Sequence, residues 1–136
     1  MYTEISKQRL SKAHIDLITL ATALEGRFPG LQITCSVRGE LDQNKAYNSG
    51  NSKARFGQSP HNFKQSLALD FVFITDGKPD WTVTKYLEMI KVSKEIAARY
   101  KLNLTYGGEF KSLKDYPHIE LTNWKTISKT ISLAKV

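Results

Sequence analysis

The sequence of 136 residues has one cysteine, Cys35, so no internal disulfide can form and oxidative stapling is excluded. No apolar run approaches the ~20 residues needed to span a bilayer. The N-terminal stretch MYTEISKQRLSKAH lacks the apolar core of a signal peptide. Together these absences predict a product made in the cytoplasm without a leader; if it acts outside the membrane, something else must release it. Internal repeats, low-complexity segments and a dividing linker are also missing, which predicts one domain over residues 1–136. Acid is scarcer than base. Lys and Arg total 20 against 13 Asp and Glu, a net charge of +7, which points to a polyanionic partner: nucleic acid, an acidic membrane face or an acidic wall polymer. The 40% of apolar residues is enough for a real core and excludes wholesale disorder.

Apolar periodicity outlines the elements. Leu10, Ala13, Leu17, Leu20, Ala21 and Leu24 recur at helical steps and predict one helix from Glu4 to Gly26. Gln32 to Val37 alternates as a strand, with Ile33, Cys35 and Val37 on one face. A short helix from Leu41 to Asn48 precedes a long polar loop, Gly50 to Ser66, of the kind that is usually functional or disordered. Leu67 to Ile74 is the most apolar segment and reads as a central strand. After the Asp76-Gly77 turn come a helix from Thr82 to Tyr100, strands at Leu102–Tyr106 and His118–Leu121, and a last helix from Asn123. This order predicts an α+β fold with a small, mainly antiparallel sheet flanked by helices.

Asp70 is out of place in that central strand. An ionised carboxylate there costs several kcal/mol unless a cation or several donors satisfy it, so it serves either a salt bridge or a metal. There are three histidines. His14 is in step with Leu10 and Leu17 and reads as a packing or rim residue. His61 lies in the polar loop just ahead of the Asp70 strand, and His118 opens the last strand three positions after Asp115. Two imidazoles and a carboxylate on separate elements make a three-ligand set of the kind that leaves zinc an open position. Spacing alone leaves the choice open.

Further motifs narrow it. Ser59-Pro60-His61-Asn62-Phe63 with Ala68-Leu69-Asp70, and later Asp115-Tyr116-Pro117-His118-Ile119-Glu120-Leu121, resemble the two zinc motifs of the LAS-type metallopeptidases, peptidase family M15. That family includes the VanY-like D-alanyl-D-alanine carboxypeptidases, D,D-dipeptidases and the L-alanyl-D-glutamate endopeptidases of phage endolysins. Thr34 to Arg38 followed by Gln43 is similar to the family's strand ending in Arg. Tyr106-Gly107-Gly108-Glu109-Phe110-Lys111-Ser112 is similar to the run before its last motif. Motifs in a fixed order are far more specific than either zinc motif alone.

The resemblance implies a Hedgehog/DD-peptidase-like zinc peptidase fold, with His61, Asp70 and His118 as the ligands of Zn2+. Asp115 would be the general base, Arg38 would face the developing oxyanion, and Gln43 and Ser59 would line the cleft. It implies a peptidase that cuts the L-alanyl-D-glutamate bond of bacterial peptidoglycan, reaching the wall through a holin pore. The expected enzyme is a monomer with no nucleic-acid partner and no stable membrane insertion. This sequence departs from the family pattern in places. His61 and Asp70 are farther apart, the extra residues falling at Lys64-Gln65, so the rim of the cleft is expected to differ. Ser66 stands where Gly is usual, Asp115 where many relatives carry Glu, and Phe110 where Trp is found.

Competing roles attach to other residues. Cys35, by its alternation with Ile33 and Val37, reads as a buried structural cysteine rather than a nucleophile. Glu120 shares a strand face with His118 and is placed either to orient it or to face solvent. Glu109 competes with Asp115 as base, and the spacing to His118 favours Asp115. Within the family, a D-alanyl-D-alanine carboxypeptidase is the main rival. The charge keeps open a basic nucleic-acid-binding protein, which would not need His61, Asp70 or His118 and whose recognisable modules are missing. A relative that binds wall peptide without cutting it would hold zinc and show no turnover.

Overall fold

A run of apolar residues from Leu67 onward, broken by Asp70 alone, produces the strand on which everything else is hung. In the computed structural model, which describes residues 1–135, strand β3 (Ala68–Thr75) is flanked by β1 (Leu31–Cys35) on one side and β6 (His118–Leu121) on the other. Strand β5 (Leu104–Tyr106) pairs with β6, and β4 (Lys78–Asp80) returns from the Asp76-Gly77 turn onto the far end of β3. All of these pairings are antiparallel. Strand β2 (Phe63–Lys64) forms a separate ribbon with β7 (Ser132–Leu133). The α+β fold with a small antiparallel sheet is as the apolar pattern predicts.

The two faces of β3 have different fates. Leu69, Phe71 and Phe73 are fully or almost fully buried in a cluster with Leu17, Leu20 and Leu24 of helix α2 (Ile15–Leu24) and Met89 and Ile90 of helix α4 (Val83–Tyr100). Burying each such side chain contributes about 1.5–3 kcal/mol. The opposite face carries Asp70, and it is there that the polar loops gather. No helix among the described residues is long and apolar enough to cross a membrane.

The single N-terminal helix expected from Glu4 to Gly26 is two, α1 (Glu4–Ser11) and α2. The break has a tertiary cause. The backbone of Lys12 and His14 exchanges hydrogen bonds with Ser66, at 2.9 and 2.8 Å, in place of continuing the helix. His14 therefore sits off the apolar stripe as the cap of α2, its Nδ1 accepting from the Asp16 N–H at 3.1 Å. Helix α3 (Glu40–Asn48) matches its predicted span. The predicted C-terminal helix is short, α5 (Trp124–Ile127), and gives way to β7.

A second departure shapes the site. Strand β1 has a bulge: Ile33 stands opposite Phe71, but Cys35 stands opposite Asp70. The extra residue, Thr34, cancels the alternation on which Cys35 was expected to share the core face of Ile33. Cys35 is half-buried beside Asp70 instead.

Candidate metal centre

Three elements deliver the polar residues to one place. A 3-10 turn at Pro60–Asn62 carries His61, held by Ser59, whose hydroxyl accepts from the His61 N–H at 3.2 Å. Strand β3 carries Asp70, and β6 places His118 directly opposite it in register. The turn before β6 holds Asp115, whose N–H donates to the Gly107 carbonyl at 2.9 Å and whose carbonyl accepts from the His118 N–H at 3.1 Å. Gly107 is required by this approach. A Cβ there would collide with the Asp115 carbonyl oxygen and lie 3.0 Å from the His118 Cβ.

Both imidazoles have committed one nitrogen away from the centre. His61, only 2% exposed, donates from Nδ1 to the Ser36 carbonyl at 2.6 Å. Its Nε2 is buried with no hydrogen-bond partner and faces Asp70 Oδ2 at 3.3 Å. His118 holds its Nε2 against Glu120 Oε1 at 2.7 Å, so its Nδ1 faces Asp70 Oδ1 at 3.0 Å. Because Ser36 O and the Glu120 carboxylate only accept, each ring can keep an N–H on its outer side, and its inner nitrogen, which donates to Asp70 when protonated, can instead turn a lone pair to a cation. Glu120 thus takes the orienting role, a carboxylate behind a histidine being the usual outer support of a metal ligand. His61 and His118 thus flank Asp70, each on its own carboxylate oxygen, and an orphaned buried nitrogen, a second imidazole and a carboxylate have the chemistry to hold a divalent cation. Ligand atoms of Cys35, His61 and Asp70 lie within 4.8 Å of one another, and Asp70 is shared with a second such group. Ligand atoms of Asp70, Asp115 and His118 all lie within 4.8 Å of one another. Cys35 Sγ lies 3.7 Å from Nδ1 of His61, the nitrogen already bonded to Ser36, and so stands behind the ring.

Charge balance in the metal-free protein derives from the same contacts. Burial disfavours the imidazolium of His118, but the Asp70 and Glu120 carboxylates outweigh it and push its pKa up to about 9. His61 is raised as well, its burial outweighed by Asp70. Asp70 is held well below the usual carboxylate range, since His61 and His118 overcome its burial. Asp115 moves the other way: though the residue is exposed overall, its carboxyl is partly desolvated where it faces the cluster, and that and the charge of Asp70 raise it. A folded-state pKa above the unfolded value contributes stability that is full below the unfolded pKa, about 6.5. For His118 that contribution is lost as pH rises through about 9. Metal-free protein is therefore expected to lose denaturant resistance between these values, in urea titrations at stepped pH, while the metal-loaded form keeps it. A flat profile for the metal-free form would contradict the paired geometry.

The cleft in front of the cluster has a volume of about 360 Å³ and is lined by Arg38, Lys53, Gln58, Ser59, His61, Asp70, Phe110, Leu113, Asp115 and His118 among others. Arg38 Nη2 stands 3.7 Å from Asp70 Oδ2. Gln43 is different from its expectation. It is completely buried behind Arg38, its Oε1 accepting from Arg38 Nη1 at 3.2 Å and from Asn62 Nδ2 at 3.1 Å. Its amide nitrogen donates to Ser52 Oγ and the Ala54 carbonyl. With every polar atom engaged it does not line the cleft; it holds Arg38 and the 52–54 loop in place.

The sequence reading missed the roles of Asn62 and Ser66. Asn62 is wholly buried and ties Gly57, Ser59, Arg38 and Gln43 together. Ser66 replaces the expected Gly at no steric cost, its Oγ lying 2.6 Å from the Ser36 carbonyl that also accepts from His61. The extra residues Lys64-Gln65 were expected to alter the cleft rim. They line a separate groove with Arg9, Lys12 and Asp42, because Phe63 and Lys64 are drawn into the ribbon with β7.

No family model matches the chain. It is 30% identical over 127 residues to the peptidoglycan L-alanyl-D-glutamate endopeptidase CwlK of Bacillus subtilis, a match covering 81% of this chain and 70% of that protein. The crystal structure of the L-Ala D-Glu endopeptidase ChiX of Serratia marcescens has the same fold, with a TM-score of 0.76 at 24% identity, covering 93% of each chain.

Proposed function

The chain belongs to the LAS-type metallopeptidases, and on that premise we propose that it is a zinc-dependent peptidase cutting the L-alanyl-D-glutamate bond of peptidoglycan stem peptides. The observation that carries this is that His61 Nε2 and His118 Nδ1 flank the two oxygens of the Asp70 carboxylate where all three residues line an open cleft. That both relatives are L-alanyl-D-glutamate endopeptidases supports the choice of bond. His61, Asp70 and His118 would hold the ion. When bound, zinc supplies Lewis acidity, polarising a peptide carbonyl and lowering the pKa of water towards ~7.

This chain's own residues do the rest. Asp115, exposed at the cleft wall, takes a proton from the attacking water and returns it to the leaving amine. Its raised pKa suits both halves of that task. Arg38, clamped by Gln43, presents a fixed guanidinium to the oxygen on which charge develops. Ser59 caps the turn that carries His61 and forms part of the cleft wall. Glu120 keeps the His118 proton on Nε2. Replacing Glu120 by alanine is expected to weaken metal affinity about 10–100-fold, the cost of losing such an outer contact; competition with a chromogenic chelator measures it.

Mass spectrometry of purified peptidoglycan incubated with the protein, with chelator-treated and zinc-restored controls, tests the function. Stem peptides freed of their L-alanine only when metal is present would support the endopeptidase reading. Loss of a terminal D-alanine alone would replace it with a carboxypeptidase, and no cleavage of any wall type would overturn it.

A further inference from the structure

The catalytic cleft does not end at its own wall. Gln58 lines it on one side and, on the other, lines a second pocket of about 370 Å³ formed with Gly57, Trp124, Lys125 and Ser128. Trp124 is half-buried, its indole against Phe63 at a centroid distance of 6.3 Å, with Lys125 Nζ 5.8 Å from the ring centre. The pocket therefore joins an anchored aromatic surface to a ring of neutral polar groups and one cation. Such a mix of apolar surface and a few polar groups is what small-ligand sites use to fix orientation. The larger basic groove beside Lys64 and Gln65 shares no lining residue with the cleft.

The chemistry of the substrate says what must lie beside the cut bond. L-alanine is the first residue of the stem peptide, joined through a lactyl group to an N-acetylated amino sugar. Alanine and the lactyl group extend about 7 Å together, so the sugar falls just outside the cleft and cannot be far from it. The other side of the bond carries the free carboxylates of the acidic residue and of the rest of the stem peptide. Arg38 and Lys53 give the cleft cations to meet those. The aromatic exit past Gln58, with its single cation Lys125 and no carboxylate among its lining residues, suits the sugar.

We propose that the pocket between Gln58 and Trp124 is a sugar subsite, which seats the N-acetylated amino sugar bearing the stem peptide while the peptide lies in the cleft. This rests on the endopeptidase reading above. It makes the enzyme a reader of the glycan-attached end of the peptide, with Trp124 as the stacking surface and Gln58 and Lys125 as hydrogen-bond donors to the ring substituents.

The test uses a ligand that the enzyme cannot cut. Calorimetric titration of the zinc-loaded protein with muramyl-L-alanine is compared with lactyl-L-alanine, the same ligand without the sugar. The sugar is expected to tighten binding about tenfold, the upper scale of one good aromatic contact. Trp124→Ala should erase that difference. Ser128→Trp, which fills the pocket and removes nothing from the core, should erase it as well. Equal binding of the two ligands to the native protein, or a difference that survives both substitutions, overturns the subsite. Failure of the underlying activity is seen separately, as intact stem peptides in the wall digestion.

Discussion

Alanine in place of His118 is expected to remove metal and hydrolysis together. The imidazole supplies one of the three ligand groups assigned around Asp70, and its outer nitrogen is the partner of Glu120. Its loss leaves Asp70 with His61 and Arg38 alone and leaves Glu120 facing an empty space. Two ligands do not retain zinc in competition with water. Activity should therefore fall by more than the roughly 100-fold that marks the upper limit for an outer contact. Metal content per protein by atomic emission, read beside peptidoglycan cleavage, checks it. A variant with full metal and full turnover would remove His118 from the ligand set.

Substitution of Asp115 by alanine should have the opposite split: metal and fold retained, turnover lost. Its backbone provides the structural contacts, to Gly107 and His118, and these survive any side chain. Its carboxylate is exposed at the cleft and lies close to Asp70 and His118. A proton shuttle removed at that position costs about 10²–10⁴ in kcat. Asp115→Asn separates charge from shape, and the same loss is expected of it. If metal content falls with activity in either variant, Asp115 is a ligand and the general base must be sought elsewhere; Glu109, the other base weighed from the sequence, is paired with Lys94 away from the cleft lining.

Asp70 could be singled out before folding because it violates a local rule, while the residues assigned around it came from the resemblance of the motifs. A carboxylate in the centre of an apolar strand needs a partner, and Asp70 has His61, His118 and Arg38. The helix Val83–Tyr100 and the strand His118–Leu121 were legible because their apolar periods are long or sharply bounded. What escaped was decided by tertiary contacts with no local signature. The break before α2 depends on Ser66, distant in the chain. Strands β4 and β7 are too short to show a period. Gln43 has the composition of a surface residue on a polar helix, and only the meeting of Arg38, Asn62 and the 52–54 loop buries it. Cys35 was misplaced by a single unpaired residue.

That unpaired residue, Thr34, also governs how the chain can change in length. Deleting it would leave Ile33 opposite Phe71 and Cys35 opposite Asp70, because neighbouring residues of a strand face opposite ways, so the bulge can be lost without shifting the segment that leads to Arg38. The opposite flank of the site also tolerates a change of length. Lys64 and Gln65 sit where a two-residue strand meets the equally short β7, and the bonds holding His61 and Asp70 are made on either side of them. Insertions are thus absorbed between the first two metal-facing residues and a one-residue deletion at the bulge, so length variation among related chains should be found on both banks of the cleft.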